Sequence, residues 1–286
     1  MIKKQLNQDI SIQLKADYNF NWLNRFGQVF TVFDQQDSGN ISFGIESEGV
    51  KRFLKYAGAE TLHGSVSPEL AVQNLKQSVG IYQELSHASL VNLLDHMEVG
   101  DGYCLLFDWF DGEVLHNHWN FPPPLKYEHP DAPFFRFKQL PIEKRLTAFK
   151  EILEFHVHVE HHGYVAIDFY DGSILYDFTN YQLKICDIDL YQKKPYINTM
   201  GRMWGSSRFM SPEEFELGAV IDGSTNVFNM GAMAFSLLGG ELNRSYDKWE
   251  AGRDLYEVAI KAVEKDRNKR FPSVEVFYQE WNKRDS

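Results

Sequence analysis

The stretch GYVAIDFYDGSILYDFTNYQLKICDIDLY, Gly163 to Tyr191, decides how the chain is read. It sets five aspartates, Asp168, Asp171, Asp177, Asp187 and Asp189, among apolar and aromatic residues. YVAID is a short apolar run ending at Asp168. SILYDF and QLKICDID are two more, with Thr179-Asn180-Tyr181 as the turn between them, which predicts a β-hairpin. Such a hairpin puts Asp168 just before its first strand and Asp187 at the end of its second. Carboxylates on neighbouring strand ends suit either the orientation of a hydroxyl or a hard divalent cation, which takes oxygen ligands and shares them with substrate phosphates. Asp171 and Asp177 lie beside turn residues and read as solvated turn aspartates.

Upstream of this stretch the chain reads as strands around one helix. VFTVFDQQ and ISFGIE flank the polar turn Asp37-Ser38-Gly39-Asn40, and SEG leads into VKRFLKYAG. Ser67 as cap, Pro68 in the first turn and Glu69 beside it start a helix striped by Leu75, Val79, Tyr82 and Leu85. NLLDHMEV and YCLLFDWF follow as strands about Gly100-Asp101-Gly102. After Gly112 a Pro-rich stretch, FPPPLKYEHPDAP, leads into a long helix, PIEKRLTAFKEILEFHVHVEHH. Helical patterns are expected beyond Tyr191, with Trp281 closing the last helix onto the large domain.

With 286 residues, 43% of them hydrophobic, the chain can bury a substantial core. The net charge of -11 argues against a nucleic-acid binder, which is usually basic. No apolar run approaches the roughly 18 residues of a membrane-spanning helix, and no N-terminal apolar segment suggests a signal peptide. Cys104 and Cys186, both in apolar runs, are expected as buried free thiols in a reducing cytoplasm. His156, His158, His161 and His162 crowd one helix end, but alternating helical faces argue against a single four-ligand zinc site.

Taken together, the motifs resemble the protein kinase family in its divergent, bacterial-type, eukaryotic-like Ser/Thr form. GYVAIDFYDGSILYD resembles the catalytic loop, KICDID the metal-binding segment, and GSSRFMSPEE the end of the activation segment. TNVFNMGAMAFSLLGG is similar to the buried central helix and EKDRNKRFPSVEVF to the closing Arg motif. GVKRFLKYAGA resembles strand three of the small lobe and LLFDWFDGEVL the hinge. The resemblance implies an α+β, bilobal fold with a β-rich N-lobe over 1–107, a hinge over 108–112 and a mainly helical C-lobe over 113–286.

The resemblance also implies roles for particular residues. Asp168 would align the incoming hydroxyl as catalytic base. Lys55 would hold the ATP phosphates, and the backbone around Ser38, Gly39 and Asn40 would close over them. Asp108, Trp109 and Phe110 would present backbone to adenine. Asp187 would hold Mg²⁺ or Mn²⁺, with Ser173 at the second ligand position and Asp189 as a further oxygen donor. Ser206 would bond the catalytic Asp, and Arg270 would pair with Glu213 to pin the activation segment. The implied activity is transfer of the ATP γ-phosphate to a protein Ser or Thr hydroxyl. A small-molecule phosphotransferase and a pseudokinase that binds nucleotide or a partner without catalysis are the alternatives.

Several positions depart from that pattern. Ser78 falls where the family's helix Glu would meet the strand-three Lys. Ala166-Ile167-Asp168 lacks the arginine that receives an activation-loop phosphate. Tyr170 stands in place of Lys, Ser173 in place of Asn, and Asn226 in place of the Asp that braces the catalytic loop.

Overall fold

The β-branched and aromatic runs of the first hundred residues fold as strands. A computed structural model describes residues 1–285 as an α+β chain that divides into two compact units. Among the described residues, the first comprises 1–86 and 91–111, the second 87–90 and 112–285. Residues 87–90 fall in the second unit because Ile185 N–H donates to the Ser89 carbonyl at 2.6 Å and Leu90 bridges Ile185.

In the first unit a hairpin of β1 (Ile2–Gln5) and β2 (Ser11–Leu14) precedes the main sheet. This hairpin was not legible in sequence, because its strands are four residues each and largely polar. The main sheet comprises β3 (Gln28–Phe33), β4 (Asn40–Ser47) and β5 (Val50–Ala57). After helix α1 (Pro68–Glu84) it is completed by β6 (Leu93–Val99) and β7 (Gly102–Asp108). Its order is β3-β4-β5-β7-β6, antiparallel throughout. The α1 start is as expected: Ser67 accepts a hydrogen bond from Leu70 N–H, and Pro68 opens the first turn. Leu75, Val79, Tyr82 and Leu85 are all buried. Phe20, Phe43, Tyr56 and Trp22 interlock in the core, with Phe20 and Phe43 edge to face at 5.8 Å.

The second unit begins with β8 (Glu113–Val114) and two short helices in the Pro-rich stretch, α2 (Leu125–Glu128) and α3 (Pro133–Lys138). Next come the long helix α4 (Ile142–His161), β9 (Tyr164–Val165) and the hairpin β10 (Ile174–Asp177) and β11 (Gln182–Ile185). The hairpin joins β8 in the order β11-β10-β8. From residue 192 to 222 the expected helices give way to short strands, β12 (Gln192–Lys193), β13 (Tyr196–Ile197) and β14 (Val220–Ile221). Pro195, Gly201, Gly205, Pro212 and Gly218 punctuate this segment too often for a helix.

Helices α5 (Gly223–Leu238), α6 (Arg253–Ala262) and α7 (Val274–Asn282) complete the unit. Trp281, fully buried, packs against Phe149 of α4 at 4.7 Å, as expected. Among the described residues, no helix is long and apolar enough to cross a membrane. Cys104 is buried, and burial pushes its thiol up to about 11. Cys186 is only partly buried, contrary to expectation, because it lies just past the end of β11.

Helix α5 is buried almost throughout, and Gly231 is where α6 approaches it. A Cβ at Gly231 would lie 2.7 Å from Ala262 Cβ and 2.8 Å from Val263 Cγ1. Alanine gains about 1 kcal/mol of helix propensity over glycine. Overpacking a filled core costs about 1–3 kcal/mol, which outweighs that gain. Gly231→Ala is therefore expected to destabilise the protein, read as a lowered urea midpoint. A raised midpoint would show that α6 yields without strain.

Candidate active site

The chain leaves α4, crosses β9 and enters the loop 166–173 before the β10–β11 hairpin. The hairpin forms in the expected place, with Ile174 opposite Ile185. Asp177 builds its turn but is buried, not solvated as expected, because its carboxylate is taken up by the turn itself: it accepts from Thr179 N–H at 2.7 Å, Asn180 N–H at 3.1 Å and Asn180 Nδ2 at 2.8 Å. At the open end, Cys186 N–H donates to the Ser173 carbonyl at 2.9 Å. That bond ties the backbone just before Asp187 to Ser173.

Asp168 and Asp187 both take left-handed backbone, with φ of +62° and +58°. Such conformations in non-glycine residues cost about 1–3 kcal/mol each and persist where the surroundings over-determine them, often at functional sites. Both carboxylates act on the same two phenols. Burial first, then Asp187 and Asp168, raises the Tyr170 hydroxyl above its ordinary value. Burial first, then Asp168, Cys186 and Asp187, raises Tyr191.

Several contacts hold the loop. Asn226 of α5 accepts from Ala166 N–H at 3.4 Å and donates to Ala166 O at 3.3 Å. An amide can thus bond both backbone groups, where a carboxylate could only accept. His156 of α4 lies 4.3 Å, centroid to centroid, from the Phe169 ring. Its Nδ1 donates to Ile152 O at 2.8 Å, which leaves Nε2 to accept from Tyr191 OH at 2.9 Å. Burial lowers His156 to about 4, so the imidazole is neutral at pH 7. His156 stood out in sequence only as one of a crowd of histidines; its partnership with Tyr191 left no signal, since it spans 35 residues.

Asp171 corrects the expectation of a solvated turn aspartate. It is fully buried, 2.5 Å from Lys126 Nζ and forked by Arg208. Burial opposes its ionisation, but Arg208 and Lys126 hold its carboxyl below the usual range.

Ser206 lines a small cavity together with Asp168, Phe209, Met210, Glu214 and Asn229. The cavity offers about 10 Å³ to the centre of a water-sized sphere, room for about one water. Ser206 Oγ accepts from Arg208 Nε at 3.1 Å. Glu213 and Arg270 form the expected pair, with Nη1–Oε1 2.6 Å and Nη2–Oε2 3.0 Å. Burial works against the Glu213 carboxylate, and the Arg270 guanidinium outweighs it, so the carboxyl titrates below its ordinary value.

For a metal ion, the residues that fit are Asp187 and Ser173. Ser173 Oγ is buried and has no hydrogen-bond partner among the described residues. One carboxylate and one hydroxyl suit Mg²⁺, which keeps waters and phosphate oxygens in its shell. Asp189, half-buried, follows two residues on. Among the described residues, no group of three or more His, Cys, Asp or Glu is placed to hold a metal. The histidines at the α4 end take separate roles. His156 bonds Tyr191, His161 pairs with Glu275 at 3.1 Å, and His158 packs at a tilt against His162, 4.1 Å between ring centroids.

The remaining expected site residues belong to the first unit. Lys55 is buried in β5, opposite Ser42 and Leu105, whereas Lys51 is exposed and lies 3.8 Å from Asp111. Ser38 is exposed, and Gly39 takes φ of +79°. Asn40 belongs to β4 and not to the turn, because it pairs with Ala57, and its side chain is buried. Asp108 ends β7, where its N–H donates to Asn92 O at 3.1 Å. Trp109 donates to Asp111 at 2.7 Å, and Phe110 is half-buried beside it. No family model matches the chain.

Proposed function

We propose that this chain is an ATP-dependent phosphotransferase on a bilobal protein-kinase-like fold, acting on a protein Ser or Thr hydroxyl. The observation that carries the reading is the pair Asp168 and Asp187. Both are held in left-handed backbone at the two ends of one loop-and-hairpin unit, and both act on Tyr170 and Tyr191. Phosphoryl transfer asks a protein mainly to position reactants and neutralise charge. In this reading Asp168 accepts a hydrogen bond from the incoming hydroxyl and aligns it. Asp187, with Ser173 and Asp189, holds Mg²⁺, which when bound neutralises phosphate charge. Lys55 holds the nucleotide phosphates, and Asn226 keeps the loop in register through Ala166.

A second reading, nucleotide binding without catalysis, draws on Ser78. Its hydroxyl is buried and donates to Leu75 O of its own helix at 2.9 Å, so it supplies no carboxylate to Lys55.

Calorimetric titration with ATP and Mg²⁺ tests the assignment. Asp187→Ala is expected to weaken nucleotide binding by roughly tenfold or more, about 1.4 kcal/mol. Asp168→Asn is expected to abolish transfer to a peptide while nucleotide affinity holds. Unchanged affinity in Asp187→Ala would remove it as the metal ligand. Tight binding with no transfer by the wild type, to peptides or to small hydroxyl compounds, would favour the second reading.

A further inference from the structure

Four charged side chains from four separate segments meet three residues past Asp168. Arg208 forks Asp171, with Nη1–Oδ2 2.9 Å and Nη2–Oδ1 2.8 Å. The same Nη1 also donates to Glu241 Oε1, and Nε donates to Ser206 Oγ at 3.1 Å. Lys126 holds the same two acids, at 2.5 Å from Asp171 Oδ2 and 3.4 Å from Glu241 Oε1. Tyr127 OH donates to the other Glu241 oxygen at 2.7 Å. Two cations thus face two anions, and Lys126 and Asp171 are almost wholly sealed from solvent. Glu241 reaches the cluster from a left-handed backbone position, φ +57°, which few non-glycine residues adopt.

We propose that Arg208 is a positioning residue whose fork ties the segment carrying Ser206 to the loop carrying Asp168, setting the site without phosphorylation of residues 187–213. The proposal rests on the phosphotransferase reading above. The geometry gives it three supports. Arg208 touches both halves of the site at once, Ser206 through Nε and Asp171 through both terminal nitrogens. Ala166-Ile167-Asp168 offers no cation to receive a phosphate, so order in the segment must come from elsewhere. The segment's own guanidiniums already have acceptors: Arg208 holds Asp171 and Glu241, and Arg202 donates to Met203 O at 3.2 Å and Gly205 O at 3.0 Å. A planar, five-donor fork is needed for this span; a lysine keeps the charge but reaches fewer of the acceptors.

The test compares wild type, phosphatase-treated wild type, Arg208→Lys and Asp171→Asn. Three quantities are read: amide hydrogen exchange, affinity for a non-hydrolysable ATP analogue with Mg²⁺, and peptide phosphorylation turnover. Arg208→Lys keeps the cluster neutral and is the main variant; Asp171→Asn is read the same way if it fails to fold. The expected result is faster exchange in 203–213 and in 168–173 together, with turnover down roughly tenfold or more from misplacement and nucleotide affinity little changed. Phosphatase treatment is expected to change none of the three. Exchange that rises only around the substituted residue, or not at all, overturns the proposal. So does a loss of turnover on phosphatase treatment. A wild type that transfers no phosphate sinks the phosphotransferase reading instead, and the joint exchange of the two segments still decides whether Arg208 ties them.

Discussion

Arg270→Ala is expected to destabilise the protein by about 3–5 kcal/mol, the cost of leaving a buried charge without its partner. The pair is closed from water: the Arg270 side chain is fully buried and that of Glu213 is 7% exposed. The contact is bidentate, and Thr225 Oγ1 adds a third bond to Glu213 at 3.0 Å. Arg270 also donates to the carbonyls of Glu264 at 2.7 Å, Ser224 at 3.1 Å and Lys265 at 3.2 Å. Removing the guanidinium therefore leaves a buried carboxylate with only the Thr225 hydroxyl and takes one donor from each of three carbonyls. The natural control is Lys283→Ala, whose ion pair with Glu280 is at the surface and contributes little. Thermal melts of the two variants decide the matter. A shift for Arg270→Ala no larger than that for Lys283→Ala would show that the pair opens to solvent. The low titration of Glu213 gives the pH direction. Its contribution is present above the ordinary carboxylate value and is lost as acid protonates it below that.

Local chemistry made some of this site legible in sequence, and distance hid the rest. The hairpin announced itself through two apolar runs about Thr179-Asn180-Tyr181, and Asp177 does build that turn. Ser67 and Pro68 gave α1 its start for the same reason, since caps act within a few residues. The pairing of Glu213 with Arg270, 57 residues apart, came only from the resemblance, because no periodicity or spacing could have supplied it. Asp171 shows what resemblance and local reading both missed. Beside Gly172 it looks like a solvated turn residue, yet Lys126 and Arg208, 45 and 37 residues away, make it the most buried acid of the loop. Lys126 in turn sits in a Pro-rich stretch with no pattern to mark it. Charge clusters assembled from four segments leave no one-dimensional trace, which is why exposed and sealed aspartates in the same stretch could not be told apart.

Glu214 leads to the second large expectation: the protein should lose about 3 kcal/mol of stability as pH rises from below 5 to above 7, through this one group. Its neighbour Glu213 has a guanidinium; Glu214 has only neutral partners. Oε2 accepts from Ser211 N–H at 2.6 Å, Ser211 Oγ at 2.8 Å and Asn229 Nδ2 at 2.8 Å. Burial dominates these bonds and pushes the carboxyl up from an ordinary 4.5 to about 7, with the negative charge of Glu213 adding to it. The folded state therefore binds this proton more tightly than the unfolded chain. Its contribution is complete below pH 4.5, declines through the window up to about 7, and is gone above it. Glu214 lines the same small cavity as Asp168 and Ser206. The measurement is unfolding free energy for wild type and Glu214→Gln at several pH values between 5 and 8. Glutamine cannot titrate, so subtracting it removes every other ionisable group from the comparison. The wild-type advantage should shrink steadily as pH rises. A difference that stays flat across that range would mean the carboxyl titrates outside it, and that the hydrogen bonds from Ser211 and Asn229 outweigh burial after all.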